Sequence, residues 1–135
     1  MNIEVLRTSF ESLNQSDFPR RFYENLLSRH AELRVLFGNE AQKKQQAMLY
    51  QALAAIMDHL DSAFWLKEAL RRYGARHAEY GVTDAMYDTF GECLLATLAE
   101  VKGSEWTPQL ERAWSEAYNA VSELMKEGAA PSCEE

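Results

Sequence analysis

Apolar residues in this sequence return every three or four positions from the first segment to the last, and that period constrains the fold more than any other feature. The opening segment carries Leu6, Phe10 and Leu13, and the next carries Phe18, Phe22, Leu26 and Leu27. Leu49, Leu53, Ile56 and Leu60 make a third stripe, and Leu66, Leu70 and Tyr73 a fourth. A fifth runs through Tyr87, Phe90, Leu94, Leu98 and Val101, and a sixth through Leu110, Trp114, Ala117, Tyr118, Val121 and Leu124. Residues at that spacing share one face of a helix, so every segment has a side that must be buried against another. Nowhere does apolar alternate with polar over a strand's length between turn residues. The expectation is an all-α domain of six or seven helices around one core.

Turn and cap residues divide the stripes. Ser16 or Asp17 is expected to cap the second helix, with Pro19 in its first turn, and a turn-rich stretch from Ala31 to Phe37 is stopped by Gly38. Asn39 with Gln42 three residues later resembles a capping box, and Ser62 and Thr83 are expected to cap the fourth and fifth helices. Gly81 stands where a left-handed glycine ends a helix, Gly103 closes the fifth, and Thr107 before Pro108 is a strong helix start. From Gly128 the sequence GAAPSCEE reads as a flexible tail, so the domain is expected over residues 1–127 and the tail over 128–135.

The 135 residues suffice for one core, and no Gly/Ser/Pro linker or long repeat divides them. A formal charge of −7 and a pI near 5.0 disfavour nucleic acid and anionic membrane, both of which repel an acidic surface. No apolar run of membrane-spanning length occurs, and MNIEVLRTSFESL lacks the basic start and apolar block of a signal peptide, so the expected location is cytoplasmic. Cys93 in a helical stripe and Cys133 near the end form neither a metal-type pair nor a disulfide framework.

Three histidines are the candidate ligands. His30 closes the second helix, where a cation suits the carbonyl end of the dipole, and His59 beside Asp58 and Asp61 reads as a solvated edge. His77 differs, because it continues the stripe of Leu66, Leu70 and Tyr73 and is followed within four residues by the helix-ending Gly81. A lone histidine on an apolar face is more often a core residue than a ligand, so spacing alone leaves both readings open.

Phe22-Tyr23, Glu32-Leu33, Leu36-Phe37, Gln45, Leu49, His77, Tyr87, Gly91-Glu92, Leu94-Leu95 and Trp114 follow one another in an order that resembles a known family. From about residue 3 to residue 127 the chain looks like a globin, nearest to the bacterial single-domain haemoglobins and the globin half of flavohaemoglobins. The segment Arg76 to Val82, RHAEYGV, also resembles the turn after the proximal histidine in other globins. The resemblance implies a three-over-three helical fold with haem b held between the helix bearing Gln45 and the helix bearing His77.

On that resemblance His77 is the proximal iron ligand through its neutral imidazole, with its other ring N–H bonded to a backbone carbonyl about a turn earlier. Tyr23 and Gln45 match the distal pair, whose phenol O–H and amide N–H stabilise a ligand that gains negative charge; Gln46 is the neighbouring register. Phe37 resembles the phenylalanine that stacks on the porphyrin, Leu49 an apolar gate, and Tyr73, Val82, Tyr87 and Phe90 further haem contacts. Departures from the family pattern are Ala31 for a proline and Met48 for a basic residue that reaches a haem propionate, a role open to Lys44 or Arg76. Tyr87 lacks the glutamate that would align near Pro131, leaving Glu123 or Glu127 as substitutes.

The implied function is tight, reversible binding of dioxygen or similar small gases. Given electrons from an external reductase, nitric oxide dioxygenation to nitrate follows. A simple dioxygen carrier and a gas sensor or interaction module are the alternatives. A second histidine ligand is not expected, because none lies near Gln45, and monomer and homodimer remain equally open.

Overall fold

The computed structural model describes residues 2–36 and 42–130; Phe37, Gly38, Asn39 and Cys133 lie outside them. Six α-helices follow the six apolar stripes: α1 (Ile3–Glu11), α2 (Asp17–Arg29), α3 (Gln42–Asp58), α4 (Ala63–Glu79), α5 (Asp84–Lys102) and α6 (Pro108–Ala129). Short 3-10 turns occupy Ala31–Leu36 and Gly103–Glu105, and no strand occurs among the described residues.

Several helix ends follow from the residues that stand there. Thr107 Oγ1 accepts the Leu110 backbone N–H at 3.2 Å, with Pro108 in the first turn. Gly81 takes a φ of 97°, a conformation costly for any side chain, and ends α4 as expected. The second helix is capped differently from expectation. Neither the Ser16 nor the Asp17 side chain caps it; Asn14 Oδ1 instead accepts the backbone N–H groups of Ser16 at 3.0 Å and Asp17 at 2.8 Å. Ser62 likewise stands at the start of α4 without a side-chain cap bond. At the far end α6 runs past Glu127 through Gly128 to Ala129. Gly128 serves close packing there, since a Cβ on it would stand 1.9 Å from the Arg71 carbonyl oxygen of α4.

One layer holds α1, α3 and α4 and the other α2, α5 and α6. Contacts of α4 with α6, α2 with α3 and α1 with α6 join the layers, while α3 and α4 make no extensive contact with each other. Leu6, Phe18, Leu26 and Leu98 are completely buried where the layers meet. Each such side chain contributes about 1.5–3 kcal/mol relative to an exposed position.

Several polar groups inside the core are paired. Trp114 Nε1–H donates to Ser9 Oγ at 2.9 Å, and that hydroxyl donates to the Leu6 carbonyl at 3.1 Å. The amide of Asn25 donates to Thr97 Oγ1 at 3.0 Å, and Thr97 donates to the Cys93 carbonyl at 2.7 Å. Cys93 is the buried thiol expected of it. No helix among the described residues is long and apolar enough to cross a membrane.

Candidate functional site

The space that α3 and α4 leave between them is a cavity of about 250 Å3. Each bounding element contributes its apolar stripe: Phe22 and Leu26 from α2, Leu49 and Leu53 from α3, Leu70 from α4, Phe90 and Leu94 from α5, and Val121 and Met125 from α6. Among the polar groups in this lining, Tyr23 comes from α2, Gln45 from α3, His77 from α4 and Tyr87 from α5.

His77 ends the Leu66–Leu70–Tyr73 stripe, and its Nδ1 lies 2.7 Å from the Tyr73 carbonyl oxygen, one turn earlier. A carbonyl only accepts, so Nδ1 carries the hydrogen, and in the tautomer this selects the ring lone pair is on Nε2. The other two histidines are committed elsewhere. His59 lies face to face with Trp65, ring centroids 3.7 Å apart, and its Nδ1 is 2.8 Å from the Ala55 carbonyl. His30 closes α2 with Nδ1 3.7 Å from Glu32, and neither residue lines the cavity.

Across the cavity, Tyr23 sets its ring edge-on to Phe22 at 5.1 Å, and burial pushes its phenol up to about 12. It therefore stays a neutral O–H donor through the physiological range. Of the adjacent glutamines it is Gln45, not Gln46, that lines the cavity, one turn before Leu49. All the candidates that lie among the described residues line this one cavity: Tyr23, Gln45, Leu49, Tyr73, His77, Val82, Tyr87 and Phe90. Phe37 falls outside the described residues.

The proximal side departs from expectation. The hydroxyl of Tyr87 is buried and has no hydrogen-bond partner among the described residues. Neither suggested glutamate serves it: Glu127 accepts two N–H groups from Arg71, at 3.1 and 2.7 Å, and Glu123 lies 3.9 Å from Lys126. Lys126 places its ammonium 5.9 Å from the centre of the Tyr87 ring. Burial first, and then Asp84, raise the Tyr87 phenol.

Tyr118, expected only as a core residue, also lines the cavity and donates its hydroxyl to the Tyr87 carbonyl at 2.5 Å. Its approach to α5 requires Gly91, where a Cβ would stand 2.5 Å from the ring. The Gly91-Glu92 pair flags this position in the sequence, but nothing there says that an aromatic ring fills the gap.

Among the described residues no three His, Cys, Asp or Glu side chains are close enough to hold an ion. An ion at His77 must therefore bring its remaining ligands with it, as the iron of a planar, apolar macrocycle does. The apolar lining, the single nitrogen donor held in one tautomer and the unpartnered Tyr87 hydroxyl fit such a group.

The sequence profile of the Globin family matches residues 20–125. A flavohemoprotein from Bordetella pertussis is 35% identical over 108 residues, which cover 78% of this chain and 27% of that protein. A flavohemoprotein from Vibrio cholerae is 28% identical over 134 residues, covering 95% of this chain and 34% of its own length. The chain thus spans about a third or less of the length of these relatives.

Among solved structures, an engineered carbene transferase, made from a proposed nitric oxide dioxygenase of Rhodothermus marinus, superposes with a TM-score of 0.83. It is 29% identical, with 94% of this chain and 89% of that one covered. A bacterial globin from Campylobacter jejuni, 19% identical, gives the same TM-score over 94% of this chain and 93% of its own, a likeness of fold.

Proposed function

This chain belongs to the globin family, and on that footing we propose that it holds haem b between α3 and α4 and binds dioxygen and similar small gases there. The observation that carries the reading is His77. It is the one histidine lining the cavity, and the Tyr73 carbonyl commits its Nδ1, leaving Nε2 as the donor. Bound haem supplies an iron centre for the gas. Leu49, Val82 and Phe90 hold the macrocycle by apolar contact, and exposed Lys44 or Arg76, neither in an ion pair among the described residues, takes the propionates.

Tyr23 and Gln45 face the gas from α2 and α3. The buried phenol donates a hydrogen bond without ionising, the amide donates a second, and Leu49 limits the entry of water. Donors aimed at developing negative charge suit a protein that holds dioxygen tightly. With electrons from a reductase outside these 135 residues, we propose that it dioxygenates nitric oxide to nitrate. The Rhodothermus marinus protein, itself a proposed nitric oxide dioxygenase, supports that extension. Simple reversible dioxygen carriage is the second reading, favoured by the Tyr87 hydroxyl having, among the described residues, no carboxylate partner to strengthen His77 as a donor.

The test is the optical spectrum of the haem-loaded protein, ferrous under nitrogen, then in air, then with a small addition of nitric oxide. The reading expects a stable oxygenated spectrum that nitric oxide converts to the ferric form with stoichiometric nitrate, and no haem uptake by His77→Ala. Oxygenation without nitrate formation leaves the carrier, and wild-type protein that takes up no haem overturns both.

A further inference from the structure

Helix α4 meets α6 through two glycines that bring backbone against backbone. A Cβ at Gly74 would stand 1.8 Å from the Met125 carbonyl oxygen and 2.5 Å from its carbon, and one at Gly128 would stand 1.9 Å from the Arg71 carbonyl oxygen. Both obstacles are main chain inside regular helix, so no side chain can swing aside to make room. At the same crossing Glu127 accepts two N–H groups from Arg71. Glycine is disfavoured in a helix interior relative to alanine, yet it stands on both sides of this contact.

The crossing adjoins the iron-ligand candidate. Gly74 follows Tyr73, whose carbonyl holds the His77 ring, and precedes His77 by less than one turn. We propose that Gly74 is a positioning residue for His77: by letting α4 seat against the α6 backbone, it sets the depth at which the imidazole enters the cavity. This rests on the haem reading above.

An alanine at 74 forces the helices apart by about 1.2 Å to regain even a 3.0 Å contact. A functional ligand and its supporting shell must hold position to about 0.5 Å. Gly128 differs, because α6 ends one residue later and its last turn can unwind to relieve an added methyl, whereas Gly74 is inside α4 with helix on both sides.

The experiment compares wild type, Gly74→Ala, Gly128→Ala and Leu98→Ala, each loaded with haem. Leu98 is fully buried on α5 and does not line the cavity, so its truncation costs stability without altering the cavity wall. The readouts are the iron–histidine stretching band of the ferrous protein by resonance Raman, the rate of haem transfer to an acceptor apoprotein, and Tm.

In Gly74→Ala the band shifts and haem loss accelerates at least about tenfold. Gly128→Ala and Leu98→Ala lower Tm with the band in place. If Gly74→Ala does not fold, Arg71→Met loosens the same crossing and broadens the band. A band and transfer rate in Gly74→Ala, or in Arg71→Met where that stands in, no different from Leu98→Ala at matched Tm loss overturn the proposal. Wild type that takes up no haem overturns the haem reading and this proposal with it, whereas wild type that binds haem while the variant band stays put overturns this proposal alone.

Discussion

Replacing Tyr23 by phenylalanine removes one oxygen from the cavity and leaves the ring in place against Phe22. The exchange keeps side-chain volume almost constant, so the packing cost is small and the change reports on the hydroxyl. A hydrogen bond to a ligand bearing partial negative charge contributes about 1.5–3 kcal/mol, so dioxygen should dissociate roughly 10- to 150-fold faster from the variant. Stopped-flow displacement of dioxygen from the ferrous protein measures the rate directly. The pH profile adds a second check. Because burial pushes the phenol up to about 12, it stays mostly neutral at pH 11, where an ordinary tyrosine is mostly ionised, and the wild-type rate should stay flat from pH 7 to 11. A variant rate within threefold of wild type, or a wild-type rate that climbs from pH 9 with the titration of an ordinary phenol, refutes the role assigned to Tyr23.

The cap of α2 makes a sharp contrast: Asn14→Ala should lower stability by about 1 kcal/mol, while Ser16→Ala should be close to neutral because the Ser16 side chain makes no cap bond. Urea unfolding midpoints of the two variants decide between them, and the reverse order overturns the assignment. The buried phenols also set an alkaline limit. Between pH 10 and 12 the unfolded chain releases the Tyr23 proton while the folded chain keeps it, so stability falls as pH rises, by about 1.4 kcal/mol at pH 11 from this residue. The raised Tyr118 phenol acts in the same direction. Unfolding midpoints at pH 8 and pH 11 should therefore differ less in Tyr23→Phe than in wild type, and an equal difference in both contradicts the burial argument.

What the sequence made legible follows from how much of each feature is local. Helical period is local, and all six stripes became helices with most of the marked residues buried or packed against the core, although Leu13 and Leu60 lie just past the ends of α1 and α3. The placement of a rare residue type was legible too: with three histidines to rank, the one continuing an apolar stripe is the one lining the cavity. Caps were ambiguous because Asn14, Ser16 and Asp17 are all good oxygen acceptors within three positions, and only the backbone path decides which one reaches the free N–H groups.

Gly128 exposes a deeper limit. Glycine ends helices and also permits backbones to touch, and those two uses look alike until the second helix is in place. Glu127 carries the same lesson into the site. On α6 it is spaced suitably to serve Tyr87, yet Arg71 on α4 takes it, because the glycine crossing brings those two helices together there. Among the described residues the Tyr87 hydroxyl is left without a carboxylate, and Glu127 is held instead by Arg71 across two other helices. Which residue Glu127 pairs with thus follows from the spacing of α4 and α6, a property of backbones that residue types alone do not encode.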